Sequence, residues 1–201
     1  MSKLEAKSVT DTRNEIEPQE NIDVRKKRVK AFFKDILRDV LPTALAAYLL
    51  FGVLFRIVVV QGESMYPTLD NGNVVFVRQI NYEPSKGDIV VLNKDMSNIT
   101  GGAEKHLIKR IIALEGDTVY IDFENGEVYV NNQLLDEPYI FSPTLLNEGA
   151  EFPCIVPEHS VFVLGDNRAN SLDSRDSRLG CISEEDVMGK VLFSMLPPKK
   201  I

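Results

Sequence analysis

Cysteine is scarce in this chain, with Cys154 and Cys181 the whole complement of 201 residues. Two cysteines cannot staple a disulfide scaffold, and these lack the close spacing of a zinc knuckle. The sequence leaves open whether they bond to each other. A positive charge balance is missing too: the formal net charge of -7 argues against a nucleic-acid partner. No internal repeat or low-complexity tract is visible, and no uncharged apolar run reaches the roughly 20 residues that a bilayer span prefers. What remains is ordinary globular material, 44% hydrophobic and 26% charged, with room for one domain and a short appendage.

The charge is unevenly spread. From Ile57 onward there are 12 Lys/Arg and 22 Asp/Glu, whereas Arg25 to Arg38 holds seven basic residues and one acid, Asp35. That basic cluster adjoins VLPTALAAYLLFGVLF, an uncharged stretch between Asp39 and Arg56. A helix beginning near Ala31 lets Lys34 and Arg38 snorkel to headgroups, with Arg56 at the far side, so residues 31–56 read as a membrane span. A buried core helix is the alternative. A cleaved leader fits poorly, because the polar region before it is long and no small-residue cleavage site follows. By the positive-inside rule RKKRVK keeps the N-terminus in the cytoplasm and everything after Val60 outside. Residues 1–30 form the tail ending in this basic cluster; Met1 to Val24 are polar and acid-rich, without apolar periodicity, and are expected to be disordered.

Residues 57–201 change character. Short β-branched runs (IVVV, NVVFVRQI, DIVVLN, HLIKRIIAL, TVYID, EVYV, SVFVLG, VMGKVLF) alternate with Gly, Pro and Asn, so the domain is mostly β. Asn125-Gly126 suits a tight type I′ hairpin, and Asn131-Asn132 a second reversal.

Three stretches carry chemistry. In GESMYPTLDNG, Ser64 follows a strand and precedes Pro67, a corner that exposes a hydroxyl but equally fits a solvated turn. In HLIKRIIALEGD, Lys109 and Arg110 adjoin in an apolar strand, where alternation sends them to opposite faces. One of the two then shares a face with apolar neighbours, and a lysine there is driven toward its neutral, basic form. An edge-strand lysine that discourages aggregation is the other reading. In GDNRANSLDSRDSRLG, polar residues crowd directly behind a strand. A calcium loop starting at Asp166 would need an oxygen ligand at Arg168, Gly at Ser171 and Glu at Ser177, so it fails. A solvated loop or a polar web bracing a catalytic pair remains.

In order, SMYPTL (Ser64–Leu69), KGDIVV (Lys86–Val91), KRIIALEGD (Lys109–Asp117) and GDNRANSLDSR (Gly165–Arg175), behind an apolar anchor, resemble the bacterial type I signal peptidases. The resemblance implies a β-rich catalytic ectodomain with one N-terminal transmembrane helix. It also implies a membrane-bound serine endopeptidase that removes signal peptides from exported preproteins after Ala-X-Ala sites. By the same resemblance Ser64 is the nucleophile and Lys109 the general base. Ser171 hydrogen-bonds the lysine, Asp173 and Arg175 form a supporting ion pair, and Gly165 and Asp166 open the supporting loop. No cofactor or metal is implied; the partners are signal peptides and the lipid bilayer, not nucleic acid. Two positions depart from the pattern. Gly62 stands where some members carry a serine that completes the oxyanion hole, and Glu115 replaces a usual proline. A soluble self-cleaving repressor-type protease shares the Ser/Lys pair, but the apolar run and basic flank oppose it. A tethered β-domain that only binds an exported partner is the non-enzymatic alternative. Neither histidine, His106 nor His159, is expected to act as the base.

Overall fold

The computed structural model describes residues 19–93 and 106–200. The chain divides into a helical unit ending at Leu49 and a larger unit from Leu50.

Helix α1 (Gln19–Asp35) is followed by a π-helical turn over Ile36–Val40 and by α2 (Leu41–Leu54). Residues 19–30 are helical: Gln, Glu, Lys and Arg keep their rotamer freedom in a helix and favour it without burial. The expected disorder of residues 1–18 lies outside the described residues. The helix expected over 31–56 also differs. The π-turn carries Arg38 and Asp39, joined at 2.9 Å, and the 14 residues of α2 rise only about 21 Å. Residues 55 and 56 are already strand, with Arg56 paired to Val77. Among the described residues no helix is long and apolar enough to cross a membrane.

The second unit is mostly β. The strands are β1 (Phe55–Val59), β2 (Val74–Arg78), β3 (Ile89–Leu92), β4 (Leu107–Leu114), β5 (Thr118–Asp122), β6 (Glu127–Val130) and β7 (Gln133–Leu134). There follow β8 (Cys154–Ile155), β9 (Ser160–Leu164), β10 (Ile182–Ser183), β11 (Val187–Leu196) and β12 (Pro198–Lys200). An eight-stranded sheet has the order β1-β2-β11-β3-β4-β9-β10, with β12 on β11; a four-stranded sheet has the order β7-β6-β5-β8. Every pairing is antiparallel.

β4 lies between β3 and β9, and seven of its eight residues are buried. Alternation therefore does not divide a wet face from a dry one: Lys109 and Arg110 point to opposite sides and both are enclosed, at 1% and 9% exposure. On one side Val60, Met65, Leu69, Val75, Val77 and Ile108 form a core. A second core joins Ile112 and Phe162 of the large sheet to Val119, Ile121 and Val128 of the small one. Phe162 is 1% exposed, so truncation to Ala would cost about 3–5 kcal/mol and loosen the two sheets.

Turn chemistry differs from expectation at one of two places. Between β5 and β6 the loop has four residues, Phe123 to Gly126. Asp122 holds it, accepting from the N–H groups of Glu124 (2.9 Å) and Asn125 (3.2 Å) and from the Asn125 amide (2.8 Å). A carboxylate at that corner draws the loop open and displaces the two-residue turn. The second reversal does form, with Asn131 and Asn132 at φ 52 and 63, as a type I′ turn needs.

Candidate active site

Ser64 sits in the turn that leaves β1. Tyr66 N–H donates to Glu63 O at 3.1 Å and Leu69 N–H to Met65 O at 2.9 Å, which coils the segment. Met65 and Leu69, at 1% and 0% exposure, anchor that coil in the core and leave Ser64 partly open. From β4 the Lys109 Nζ reaches within 2.6 Å of Ser64 Oγ. Two groups 45 residues apart in sequence are thus in hydrogen-bond contact, one of them an amine withdrawn from water.

The stretch after β9 wraps behind this pair. Gly165 is wedged: a Cβ built there would stand 2.5 Å from Ser64 O and 2.1 Å from Ser171 Oγ, so only glycine fits. Ser171 and the Ser64 carbonyl thus crowd the same side of Gly165. The Ser171 hydroxyl does not bond the lysine, however. Ser171 Oγ is buried without a hydrogen-bond partner, a rotamer that keeps it against Gly165. Asp173 and Arg175 form an ion pair at 2.9 Å with both side chains wholly buried. Asp173 also accepts from Gly165 N–H at 3.0 Å, and Arg175 Nη2 donates to Arg168 O at 2.9 Å. Burial alone would lower the Arg175 guanidinium, but the hydrogen bond and charge of Asp173 outweigh it and hold the group above its usual range.

Asp166 is held from the other side of β4. It accepts two hydrogen bonds from Arg110, at 2.8 and 2.6 Å, and another from the Thr68 hydroxyl. Arg110 also donates to Gly87 O at 2.9 Å and lies 3.9 Å from the Tyr139 ring centroid. The sequence reading left Arg110 without a role, although its odd offset from Lys109 already placed it on the other side of β4. Two further groups escaped it. Asn167 N–H donates to Ser64 O at 3.0 Å while its amide donates to Glu63 O at 3.2 Å, clamping the peptide on either side of Ser64. Arg168, wholly buried, pairs with Glu137 from a distant segment. Only the density of polar residues in GDNRANSLDSR signalled these contacts.

Gly62 has φ 85, a left-handed conformation that a serine would adopt only with strain. The local backbone thus accounts for the missing hydroxyl. Glu115 has its own contact, accepting from His159 N–H at 2.7 Å. The His159 side chain is 84% exposed, and His106 is exposed just before β4.

Comparison with known proteins identifies the family. The family model described as "Signal peptidase, peptidase S26" matches residues 33–196. "Signal peptidase I S" of Bacillus subtilis (strain 168) is 39% identical over 162 residues, covering 75% of this chain and 82% of its own. "Signal peptidase I P" of Bacillus subtilis subsp. natto is 37% identical over 189 residues, covering 88% and 96%. A crystal structure of a signal peptidase I from Enterococcus faecalis V583 is 26% identical with a TM-score of 0.42, covering 54% of this chain and 97% of that one. The chain belongs to the peptidase S26 family of signal peptidases, which are serine proteases.

Proposed function

We propose that this chain is a membrane-anchored signal peptidase I that cuts signal peptides from exported preproteins, with Ser64 as nucleophile and Lys109 as general base. The observation that carries the reading is the 2.6 Å approach of a 1%-exposed lysine amine to the Ser64 hydroxyl. An ordinary lysine is neutral in about one molecule in 2,500 at pH 7. Removal from water penalises the ammonium form and can supply the two or three units a useful base requires.

Neutral Lys109 takes the Ser64 proton as Oγ attacks the carbonyl carbon, giving a tetrahedral oxyanion that a backbone N–H at Ser64 stabilises. The resulting ammonium protonates the leaving amine and the signal peptide stays esterified to Ser64. Water, deprotonated by the same amine, then releases it. No second side-chain donor comes from position 62, and the Gly62 N–H donates to Asn71 Oδ1 at 3.1 Å. Specificity for small residues two apart, Ala-X-Ala, follows the family pattern, as does reading the substrate as an added strand.

Attachment is assigned to α2 and its flanks. The helix has no charged residue and Arg25 to Lys34 are basic, which by the positive-inside rule supports a cytoplasmic N-terminus and a β unit outside the cell. Incubating a preprotein bearing an Ala-X-Ala site with wild type and with Ser64→Ala tests the activity. Wild type should release the signal peptide and Ser64→Ala should not; equal cleavage by both would reject the assignment. Protease added to wall-stripped cells should digest the region after Val60 and spare the tail.

A further inference from the structure

Tyr66, two positions beyond Ser64, packs edge to face against Phe141, with ring centroids 4.8 Å apart and planes at 74°. Neither ring is covered: Tyr66 is 39% and Phe141 59% exposed. Phe141 comes from the long connection between β7 and β8, and that connection is fastened beside the site. Glu137 pairs with the buried Arg168, whose guanidinium also bonds Thr144 Oγ1, and Tyr139 lies against Arg110. Phe141 N–H donates to Asp166 O at 2.9 Å, while the N–H of the next residue, Asn167, donates to Ser64 O at 3.0 Å. Consecutive residues of one loop therefore fix the exposed ring and the nucleophile together.

A phenylalanine held rigidly in water forgoes the roughly 1.5–3 kcal/mol that burial would give it. Placed next to a hydroxyl that contacts a polypeptide, its cover is that polypeptide. Direction along the substrate comes from the sheet. β1 pairs with β2 on one side, its other edge has no partner strand among the described residues, and it leads into Ser64. Residues before the cleaved bond, added to that edge, occupy the β1 side of the serine. Those after the bond continue beyond Ser64, and Tyr66, two positions further along the chain, brings Phe141 with it.

Resting on the Ser64/Lys109 reading, we infer that the Tyr66–Phe141 pair contacts the first residues of the mature protein after the cleaved bond. It selects apolar over acidic side chains there. Exposed Glu63, beside Ser64, adds like-charge repulsion against an acidic residue.

The test uses the full chain in detergent and preproteins that differ only at the two residues after the cleaved bond, being Leu, Ala or Asp. Wild type should show kcat/KM about tenfold higher for Leu than for Asp. Phe141→Ala should remove most of that ratio by raising KM for the Leu substrate, with kcat and melting temperature unchanged, and Phe141→Leu should restore much of it. A ratio that is absent in wild type, or the same in Phe141→Ala as in wild type, overturns the inference. If Ser64→Ala is meanwhile inactive, the dyad reading survives that failure. Cleavage by Ser64→Ala at the wild-type rate would remove both.

Discussion

Lys109 and Arg110 are neighbours on β4 that serve different partners: Lys109 Nζ meets Ser64 Oγ at 2.6 Å, and Arg110 grips Asp166 at 2.8 and 2.6 Å. One strand thus holds both the candidate base and the ion pair that closes the loop behind it. A slip of one residue along β4 would exchange the two charges and lose both functions.

The amine identifies itself through substitution and pH. Lys109→Met should lower cleavage by at least about 10²- to 10⁴-fold while far-UV circular dichroism and melting stay native, because Met fills the same buried volume without a base. His106→Ala with His159→Ala should keep most activity. Wild-type rate should rise into the alkaline range, as a base that must shed a proton requires. A profile that levels off near pH 7 would point to a histidine instead.

Gly165 and Ser171 separate packing from chemistry. Gly165→Ala drives a methyl into Ser64 O and the Ser171 side chain, so turnover should fall at least about tenfold, with a stability loss of about 1–3 kcal/mol from overpacking. Ser171→Ala removes a buried hydroxyl that has no partner, so stability should hold or rise. Turnover should nonetheless drop if, as proposed, the site needs the Ser171 side chain, which packs with Ser64 O around Gly165. An unchanged rate in Ser171→Ala would take that residue out of the site.

Arg175 carries structure rather than reaction. Removing one member of the buried Asp173–Arg175 pair strands the other charge, and Arg175→Met should cost about 3–5 kcal/mol in urea unfolding. An unchanged midpoint would mean that the aspartate finds another partner.

Acid should weaken the fold from a definite pH. At Asp117, burial acts upward, but hydrogen bonds from Lys86, Leu114 N–H and Asn131 outweigh it, so the carboxyl sits below its usual range. Asp176 is lowered chiefly by its hydrogen bond from Arg178. Both folded values lie below the unfolded value, about 3.9. Their stabilisation is therefore complete above about pH 4–5 and is lost as pH falls through the folded values. Glu148, pushed up by burial, works the other way and softens the loss. Urea midpoints between pH 6 and pH 3 should fall, and Asp117→Asn should flatten the decline; a flat wild-type curve contradicts the assignment.

Legibility in the sequence followed the range of the interactions. β5 and β6 coincide with TVYID and EVYV, because alternation and β-branching are local. β7, β8 and β10 went unseen: two residues each are too short for a period to register. Ser64 and Lys109 stood out through motif resemblance, but their 2.6 Å contact depends on how β1 and β4 are placed within the sheet. The clamp of Asn167 on Ser64 and the pairing of Glu137 with Arg168 are long-range contacts between polar residues, which leave no periodicity to read. Asp122 redirected its turn through a side-chain carboxylate, a competition that a dipeptide rule does not weigh.

Cys154, in β8 of the small sheet, and Cys181, just before β10 of the large one, hold their sulfurs 3.9 Å apart, and no disulfide joins them. A bridge would need the sulfurs to close to about 2.05 Å. It would tie off a ring of 28 residues, worth about 3.5 kcal/mol against unfolding. That ring encloses Asp166, Asn167, Ser171, Asp173 and Arg175, the whole brace behind the serine. Oxidised and reduced preparations would then be two different mechanical objects, one with its brace on a hoop and one without. Rates measured on samples of unequal redox history would compare two enzymes.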